Sequence, residues 1–158
     1  MTRPLHPPPG TRFPGPGDKK VAFEPRPPLR GRVDFEEILE YHAPAERQFT
    51  LLGVYESEIS AAACFAVRAS DVFIDYLVRN DLLRPSAFVP AGSVLVAAIE
   101  GFAEQLGMRE LRLESVEAPA TRAWYERQGF TADGAPRAEA GWGMLYPMVK
   151  RVERFAAP

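Results

Sequence analysis

Residues 118–130 are Ala-Pro-Ala-Thr-Arg-Ala-Trp-Tyr-Glu-Arg-Gln-Gly-Phe, and they predict a short helix that leads into a strand. Pro119 suits the first turn of this helix, because a residue there has no intrahelical use for its N–H group. Gly129 suits its end, since glycine adopts positive φ without a Cβ clash. Trp124 and Tyr125 point to adjacent faces of the helix. One face is apolar, and the other can carry a hydroxyl group into a cleft.

Strands and a longer helix precede this stretch. Residues 110–116 predict a strand, because leucines alternate there with charged side chains. Residues 92–107 predict a helix that ends at a glycine. Three extended runs further upstream, residues 49–56, 59–68 and 72–79, predict an antiparallel meander because only short polar breaks separate them. The apolar positions that recur at core spacing in the longer helix are Leu95, Ile99, Phe102 and Leu106.

The order of these elements predicts an α/β fold. A strand, a helix and a second strand with short links imply one parallel pair in an otherwise antiparallel, mixed sheet. Residues 130–132 and 143–151 then predict a terminal hairpin, so the meander is followed by β-α-β-α-β-β. In the last strand of the meander, alternation predicts two faces. One carries Val72, Ile74, Tyr76 and Val78, and the other carries Phe73, Asp75, Leu77 and Arg79.

The end of the opening stretch, Trp-Tyr-Glu-Arg-Gln-Gly-Phe, resembles the Leu-Tyr-Glu-Lys-x-Gly-Phe signature of the GCN5-related N-acetyltransferases (GNATs). Residues 92–96, Gly-Ser-Val-Leu-Val, resemble the start of that superfamily's acetyl-CoA-binding helix, and residues 109–116 resemble the strand that follows it. The resemblance runs in order over about residues 50–151. It implies a GNAT-like mixed sheet and an enzyme that moves an acetyl group from acetyl-CoA to an amine, without a metal.

The phosphate-binding loop is the weakest part of the resemblance. The family writes it as Arg/Gln-x-x-Gly-x-Gly/Ala, and it binds pyrophosphate through backbone N–H groups at a helix N-terminus. Here residues 87–92 retain only Gly92, and Pro90 removes a donor. Ala118 stands where the family often has an asparagine that contacts the cofactor. Without a ligand, the same residues form an ordinary helix start. The remaining candidates for the phosphates are Val89, Ala91, Gly92, Ser93 and Val94, with charge from Arg79 or Arg84.

The resemblance implies that Tyr125 is the general acid that protonates the departing CoA thiolate. A phenol suits this role because its ordinary pKa of about 10 lies near the thiol's value of about 8.5. The alternative is an aromatic ring packed beneath the cofactor helix. In the family, backbone groups where the two parallel strands part hold the pantetheine arm and polarise the thioester carbonyl. Here these groups belong to Leu77, Val78 and Arg79.

A general base must remove the amine proton, and several carboxylates are candidates. Asp75 faces the predicted cleft, Glu56 or Glu58 lies at the first hairpin, and Glu114 is a fallback. The acceptor itself, a small molecule or a peptide, is not disclosed by the sequence. The family usually spends two helices on the acceptor groove, whereas this chain has room for little more than the one predicted at residues 33–42, which Asp34 caps.

Composition divides the chain of 158 residues into two parts. Nine of the 16 prolines lie in the first 32 residues, which also hold seven basic and two acidic side chains, a charge of +5. The remainder therefore carries −7 of the total of −2. We expect residues 1–18 to be a disordered basic arm, because proline and glycine favour neither helix nor sheet. Residues 19–158 are expected to form one domain, beginning with a short strand at residues 20–24.

Several other classes of function are disfavoured. The arm does not interleave aromatic and basic residues as a nucleic-acid surface does. No apolar stretch reaches the length of a membrane span, and no signal peptide is apparent. Cys64 is the only cysteine, so no disulfide forms within the chain, and the cytoplasm is the expected location. His6 and His42 have no metal-binding spacing.

Two alternatives to the enzyme remain open. In the first, the chain is a non-catalytic descendant that keeps the sheet, has lost cofactor binding through Pro90 and Ala118, and acts as a binding module. Alternatively, a second subunit completes the short N-terminal half, which makes the protein a homodimer.

Overall fold

One mixed sheet of eight strands runs through the molecule, and helices cover both of its faces. The structure is a computed structural model that describes residues 5–83 and 90–152. The strands are β1 (Thr11–Arg12), β2 (Gln48–Tyr55), β3 (Glu58–Val67), β4 (Asp71–Arg79), β5 (Glu110–Ser115), β6 (Thr131–Ala132), β7 (Arg137–Glu139) and β8 (Gly143–Arg151). The α-helices among these residues are α1 (Phe35–Glu40), α2 (Ala91–Gln105) and α3 (Pro119–Arg127).

The predicted topology is confirmed. The main path of the sheet is β1-β2-β3-β4-β5-β8-β6, with antiparallel pairs everywhere except between β4 and β5. The predicted terminal hairpin is β6 paired with β8, and β7 adds a second antiparallel partner to β8 that the sequence did not indicate. Residues 118–130 fold as expected, because Pro119 occupies the first turn of α3 and Gly129 follows the helix with φ +97°.

The parallel pair at the centre of the sheet is short. β4 and β5 are paired only from Asp71 with Glu110 to Ile74 with Leu113. Beyond that point β4 stays with β3, where Arg79 pairs with Ala61, and β5 stays with β8. The two parallel strands therefore part in the middle of the sheet and leave a gap between their carboxyl ends.

A β-bulge at Asp75 corrects the predicted faces of β4. On β3, Phe65 pairs with Ile74 and Cys64 pairs with Tyr76, so Asp75 is an extra residue. Because one added residue reverses the alternation, Tyr76 packs on the face opposite Ile74. Val78 follows Tyr76, and Leu77 lies with Val72 and Ile74 on the face of α2.

Two apolar clusters hold the layers together. The larger lies between the sheet and the helices α2 and α3, and its fully buried members include Phe65, Phe102 and Phe130. The smaller lies under α1 and includes Ile38 and Cys64. Burial raises the pKa of the Cys64 thiol to about 12, so this side chain is a neutral core residue, as the sequence indicated.

The N-terminal residues that the structure describes lie on the sheet rather than in a disordered arm. Thr11 of β1 pairs with Gly53 of β2, and Phe13 packs against the larger cluster. The Arg12 guanidinium bonds both oxygens of the buried Asp18 carboxylate at 2.8 Å. The composition of residues 5–18 predicted disorder, but the Phe13 ring and the buried Arg12–Asp18 ion pair hold this proline-rich segment in place although it forms little regular structure. Residues 1–4 lie outside the described part.

Asn80 holds the segment of residues 22–24 against the end of β4 through hydrogen bonds. Its side chain is 2% exposed, its amide nitrogen donates to the carbonyls of Ile59 and Ala22, and its oxygen accepts from the Glu24 N–H at 3.1 Å. The Asp81 N–H also donates to the Glu24 carbonyl at 2.8 Å. The strand expected at residues 20–24 is replaced by a 3₁₀ turn over 18–20 and a single bridge from Pro25 to Asn80.

Candidate active site

A cavity of about 590 Å³ opens where β4 and β5 part. The ends of both strands border it, together with the first turn of α2 and one face of α3. The segment Arg26–Leu29 and the β7–β8 connection complete its walls. The main lining side chains are Asp75, Tyr76, Leu77, Arg79, Gly92, Glu114, Thr121, Trp124, Tyr125, Arg127, Arg137, Glu139 and Trp142.

Tyr125 lies on α3 at the border of this cavity. It is 9% exposed, and its ring makes edge contacts with Trp124 at 5.2 Å and Phe130 at 5.7 Å between centroids. Burial raises the pKa of the Tyr125 hydroxyl above its ordinary value. The hydroxyl therefore stays protonated throughout the neutral range, which is the state that a general acid needs.

Asp75 occupies the bulge on β4 and faces the same cavity. Its carboxylate accepts a hydrogen bond from the Tyr41 hydroxyl at the end of α1, and it remains exposed to the cleft. Surrounding protein raises the pKa of Asp75, and nearby Glu114 adds to this effect, while the Tyr41 hydrogen bond and Arg68 lower it. A carboxylate of raised pKa with a free face toward a cavity can accept a proton.

The other candidate bases are placed less favourably. Glu114 lines the cavity, but Arg137 bonds both of its oxygens at 2.5 and 2.7 Å. Glu56 lies at the tip of the β2–β3 hairpin with φ +49°, and Glu58 follows it. Both are exposed, and neither lines the cavity.

The backbone of β4 presents alternate residues to the gap. Asn80 donates its N–H to the Ser60 carbonyl on β3. Because hydrogen-bonded positions alternate along an antiparallel pair, Val78 also turns its backbone groups toward β3, whereas Leu77 and Arg79 turn theirs toward the gap. The Arg79 carbonyl accepts a hydrogen bond from the Arg26 N–H at 3.0 Å. The sequence expectation of three available residues is therefore corrected to Leu77 and the N–H of Arg79.

The first turn of α2 has fewer N–H groups without intrahelical partners than the sequence predicted. Val94 donates its N–H to the Pro90 carbonyl at 3.0 Å, so it is part of the helix ladder. Ala91, Gly92 and Ser93 precede this first bond, and the N–H groups of a first turn have no intrahelical partners. Val89 and Arg84, also expected here, lie outside the described residues.

Two further features of the expected cofactor site differ from what the sequence predicted. Ala118 donates its N–H to the Val116 carbonyl at 2.8 Å in a local turn and does not line the cavity. Gly92 lies against the indole ring of Trp124, and a Cβ atom at this position would be only 2.9 Å from Trp124 Cζ2. Gly92 is therefore required by the packing of Trp124, whether or not a phosphate binds beside it.

Sequence reasoning missed several lining residues. Arg26 and Trp142 come from segments without a periodic pattern, and only the long-range contacts of those segments bring them to the cavity. Arg127 had a readable signal, because it continues the face of α3 that carries Thr121 and Trp124. Within residues 5–83 and 90–152, no group of three or more potential metal ligands lies together. No helix in that part of the chain is long and apolar enough to cross a membrane.

Solved structures match this chain, although no family model and no curated protein does. The ribosomal-protein-S18-alanine N-acetyltransferase from Escherichia coli matches with a TM-score of 0.69 at 14% identity, over 92% of this chain and 95% of that one. A GNAT family acetyltransferase from Elizabethkingia anophelis with acetyl-CoA bound matches at 0.62 and 12% identity, over 89% and 96%. An aminoglycoside 6'-acetyltransferase type Ii matches at 0.62 and 18% identity, over 76% and 77%.

The chain has the GNAT fold. The GNAT fold explains why the short signature at Tyr125 and the order of elements predicted the architecture correctly. It also places the parting strands, the first turn of α2 and the Tyr125 face of α3 around one cavity in this chain.

The contact between Gly92 and Trp124 predicts that two Gly→Ala substitutions in α2 change the free energy of unfolding in opposite directions. Gly92→Ala is expected to lower the free energy of unfolding by about 1–3 kcal/mol, because the added methyl group overlaps the indole. Gly101→Ala is the matched control. It lies in the middle of α2 with no neighbour within 4 Å, so it is expected to raise the free energy of unfolding by up to about 1 kcal/mol. Urea unfolding measures both, and stabilisation by Gly92→Ala would contradict the packing of Trp124 described above.

Proposed function

We propose that the protein is an N-acetyltransferase that moves an acetyl group from acetyl-CoA to an amine by direct transfer in a ternary complex. The observation that carries this proposal is the gap between β4 and β5, which has Asp75 and Tyr125 on the border of one cavity. The acetyl-CoA bound in the Elizabethkingia anophelis neighbour supports the choice of co-substrate.

The residues present fit acetyl-CoA in part. The backbone groups of Leu77 face the gap and suit the pantetheine arm, and the free N–H groups at the start of α2 suit phosphate oxygens. Three arginines that line the cavity, Arg26, Arg79 and Arg127, have no ion-pair partner among the described residues. Their charge compensates for the glycine and the N–H donor that the phosphate loop lacks.

The mechanism needs one base and one acid. Asp75 takes a proton from the ammonium group of the acceptor, directly or through water, and the neutral nitrogen attacks the thioester carbonyl carbon. The C–N bond forms and the C–S bond breaks, while Tyr125 donates its hydroxyl proton to the departing thiolate. The second proton of the nitrogen returns to the Tyr125 oxygen. The products are the amide, the CoA thiol and one proton on Asp75, which passes to solvent.

The alternative is a GNAT-fold binding module without catalysis. It is favoured by Pro90 at the start of α2, by Ala118 in place of the family's asparagine and by the indole of Trp124 against Gly92. In that case a partner protein or a second copy of the chain uses the fold as a scaffold. The buried single cysteine fits a reducing compartment such as the cytoplasm under either function.

A binding and turnover experiment separates the two functions. Calorimetry with acetyl-CoA is expected to show micromolar binding, and Tyr125→Phe is expected to lower kcat by about 100-fold with nearly unchanged binding. Tyr55→Phe is the matched control, since Tyr55 is 42% exposed at the end of β2. No heat at millimolar acetyl-CoA would overturn the transferase and support the binding module. An unchanged kcat in Tyr125→Phe would remove Tyr125 from the mechanism.

The role of Asp75 predicts the pH dependence of kcat/KM. Activity should rise as pH rises through the pKa of Asp75, because only the ionised carboxylate accepts a proton. Desolvation by the surrounding protein places this acid limb of the pH profile above the ordinary carboxyl value of about 4. Tyr41→Phe removes a hydrogen bond that lowers this pKa, so the limb is expected to move to higher pH. Tyr55→Phe should leave the limb in place, and a limb that stays or moves to lower pH in Tyr41→Phe would contradict the assignment.

A further inference from the structure

The cavity passes through the gap from one face of the sheet to the other. Trp124 packs against the larger cluster on the α2 side, whereas Tyr76, Leu29 and Trp142 pack against the smaller cluster on the α1 side. We call the part bordered by Pro27, Pro28, Leu29, Tyr76 and Trp142 the acceptor end. If acetyl-CoA enters beside α2, the acceptor end is the only part of this cavity that remains for the second substrate.

The walls of the acceptor end are apolar and fixed in place. Its prolines and leucine belong to the segment that Asn80 and the Arg26–Arg79 hydrogen bond fasten to β4. On the opposite side, Trp142 is half-buried, and the Arg32 guanidinium lies 5.2 Å from the centre of its ring. Arg32 does not line the cavity, so it supports the ring from outside while the indole borders the cavity.

One carboxylate that lines the cavity, Asp75, has no ion-pair partner among the described residues. Among the described lining residues, Glu114 and Glu139 both pair with Arg137, whereas the hydrogen-bond partner of Asp75 is the neutral Tyr41 hydroxyl. The lining as a whole holds four arginines and three carboxylates. One ammonium group therefore finds a counter-charge in the cavity, and a second one does not.

We infer that the acceptor is a primary amine with a single positive charge and a compact apolar or aromatic body. This inference rests on the proposed transferase function and names its substrate class. The ammonium group lies at Asp75, and the body lies between Trp142, Tyr76 and the Pro27–Leu29 wall. Polycationic amines are disfavoured, because their additional charges meet apolar walls rather than unpaired carboxylates.

The two tryptophans of the chain allow a test that separates cofactor from acceptor. Trp124→Phe leaves Trp142 as the reporter at the acceptor end, and Trp142→Phe leaves Trp124 as the reporter beside α2. We expect acetyl-CoA to change the emission of Trp124, and 2-phenylethylamine to change the emission of Trp142 with or without acetyl-CoA. In turnover by the unmodified protein, kcat/KM for 2-phenylethylamine should exceed that for spermidine by about tenfold or more.

A truncation identifies the contact with the amine. Trp142→Ala is expected to raise KM for 2-phenylethylamine by about tenfold without changing KM for acetyl-CoA, because it removes one wall of the acceptor end. Tyr55→Ala removes an exposed aromatic ring that does not line the cavity, and it should change neither constant.

The outcomes are distinguishable. Preference for spermidine, or an unchanged KM for the amine in Trp142→Ala, would overturn the acceptor class while leaving the transferase intact. If acetyl-CoA leaves Trp124 emission unchanged but 2-phenylethylamine changes that of Trp142, the transferase fails and the amine site stands. If the amine does not affect Trp142 emission even with acetyl-CoA bound, the inference is wrong.

Discussion

Two neighbouring parallel strands that stop pairing halfway along their length are the constraint on which this structure depends. β5 continues along β8 and β4 continues along β3, so neither strand can close the gap between them. The bulge at Asp75 lies directly after the last parallel pair, where an added residue bends a strand and increases its twist. The same bulge brings the Asp75 carboxylate into the cleft. The opening and the candidate base therefore have one structural cause.

Elements distant in sequence complete the site around this gap. α3 contributes Tyr125 and Trp124 from one side, and the segment before α1 contributes a proline wall from the other. That segment depends on Asn80, because its buried side-chain amide both donates hydrogen bonds to backbone carbonyls and accepts one from the Glu24 N–H. Leaving a buried amide without such partners lowers stability by about 1–3 kcal/mol, so moving the proline wall away from β4 is unfavourable.

Much of the fold could be predicted from the sequence, because its signals are local. The stretch that contains Pro119 and Gly129 predicts α3, and the apolar spacing of Leu95, Ile99 and Phe102 predicts α2. The parallel pairing of β4 and β5 followed from the strand–helix–strand order, whereas the gap between them was implied by the family resemblance. The faces of β4 could not be predicted correctly, because a bulge depends on pairing with β3 and leaves no mark in the alternation around Asp75.

The candidate site was predictable only in part. Tyr125 was predicted from the family resemblance and Asp75 from the alternation along residues 72–79, and both border the cavity. Arg26 and Trp142 were not, since proline-rich and glycine-rich segments carry no periodic signal and are placed by contacts far along the chain. The contact between Trp124 and Gly92 was also not predictable, because it joins two helices. The sequence predicts a phosphate-binding role for Gly92, and the structure gives it a packing role.

The most direct measurement is the crystal structure of the protein grown with acetyl-CoA. The account predicts that the pantetheine arm lies between β4 and β5 beside the backbone of Leu77, with the thioester between Asp75 and Tyr125 and the Arg26–Leu29 segment still on β4. A cofactor bound elsewhere, or a cavity between β4 and β5 that stays empty at saturating acetyl-CoA, would contradict it.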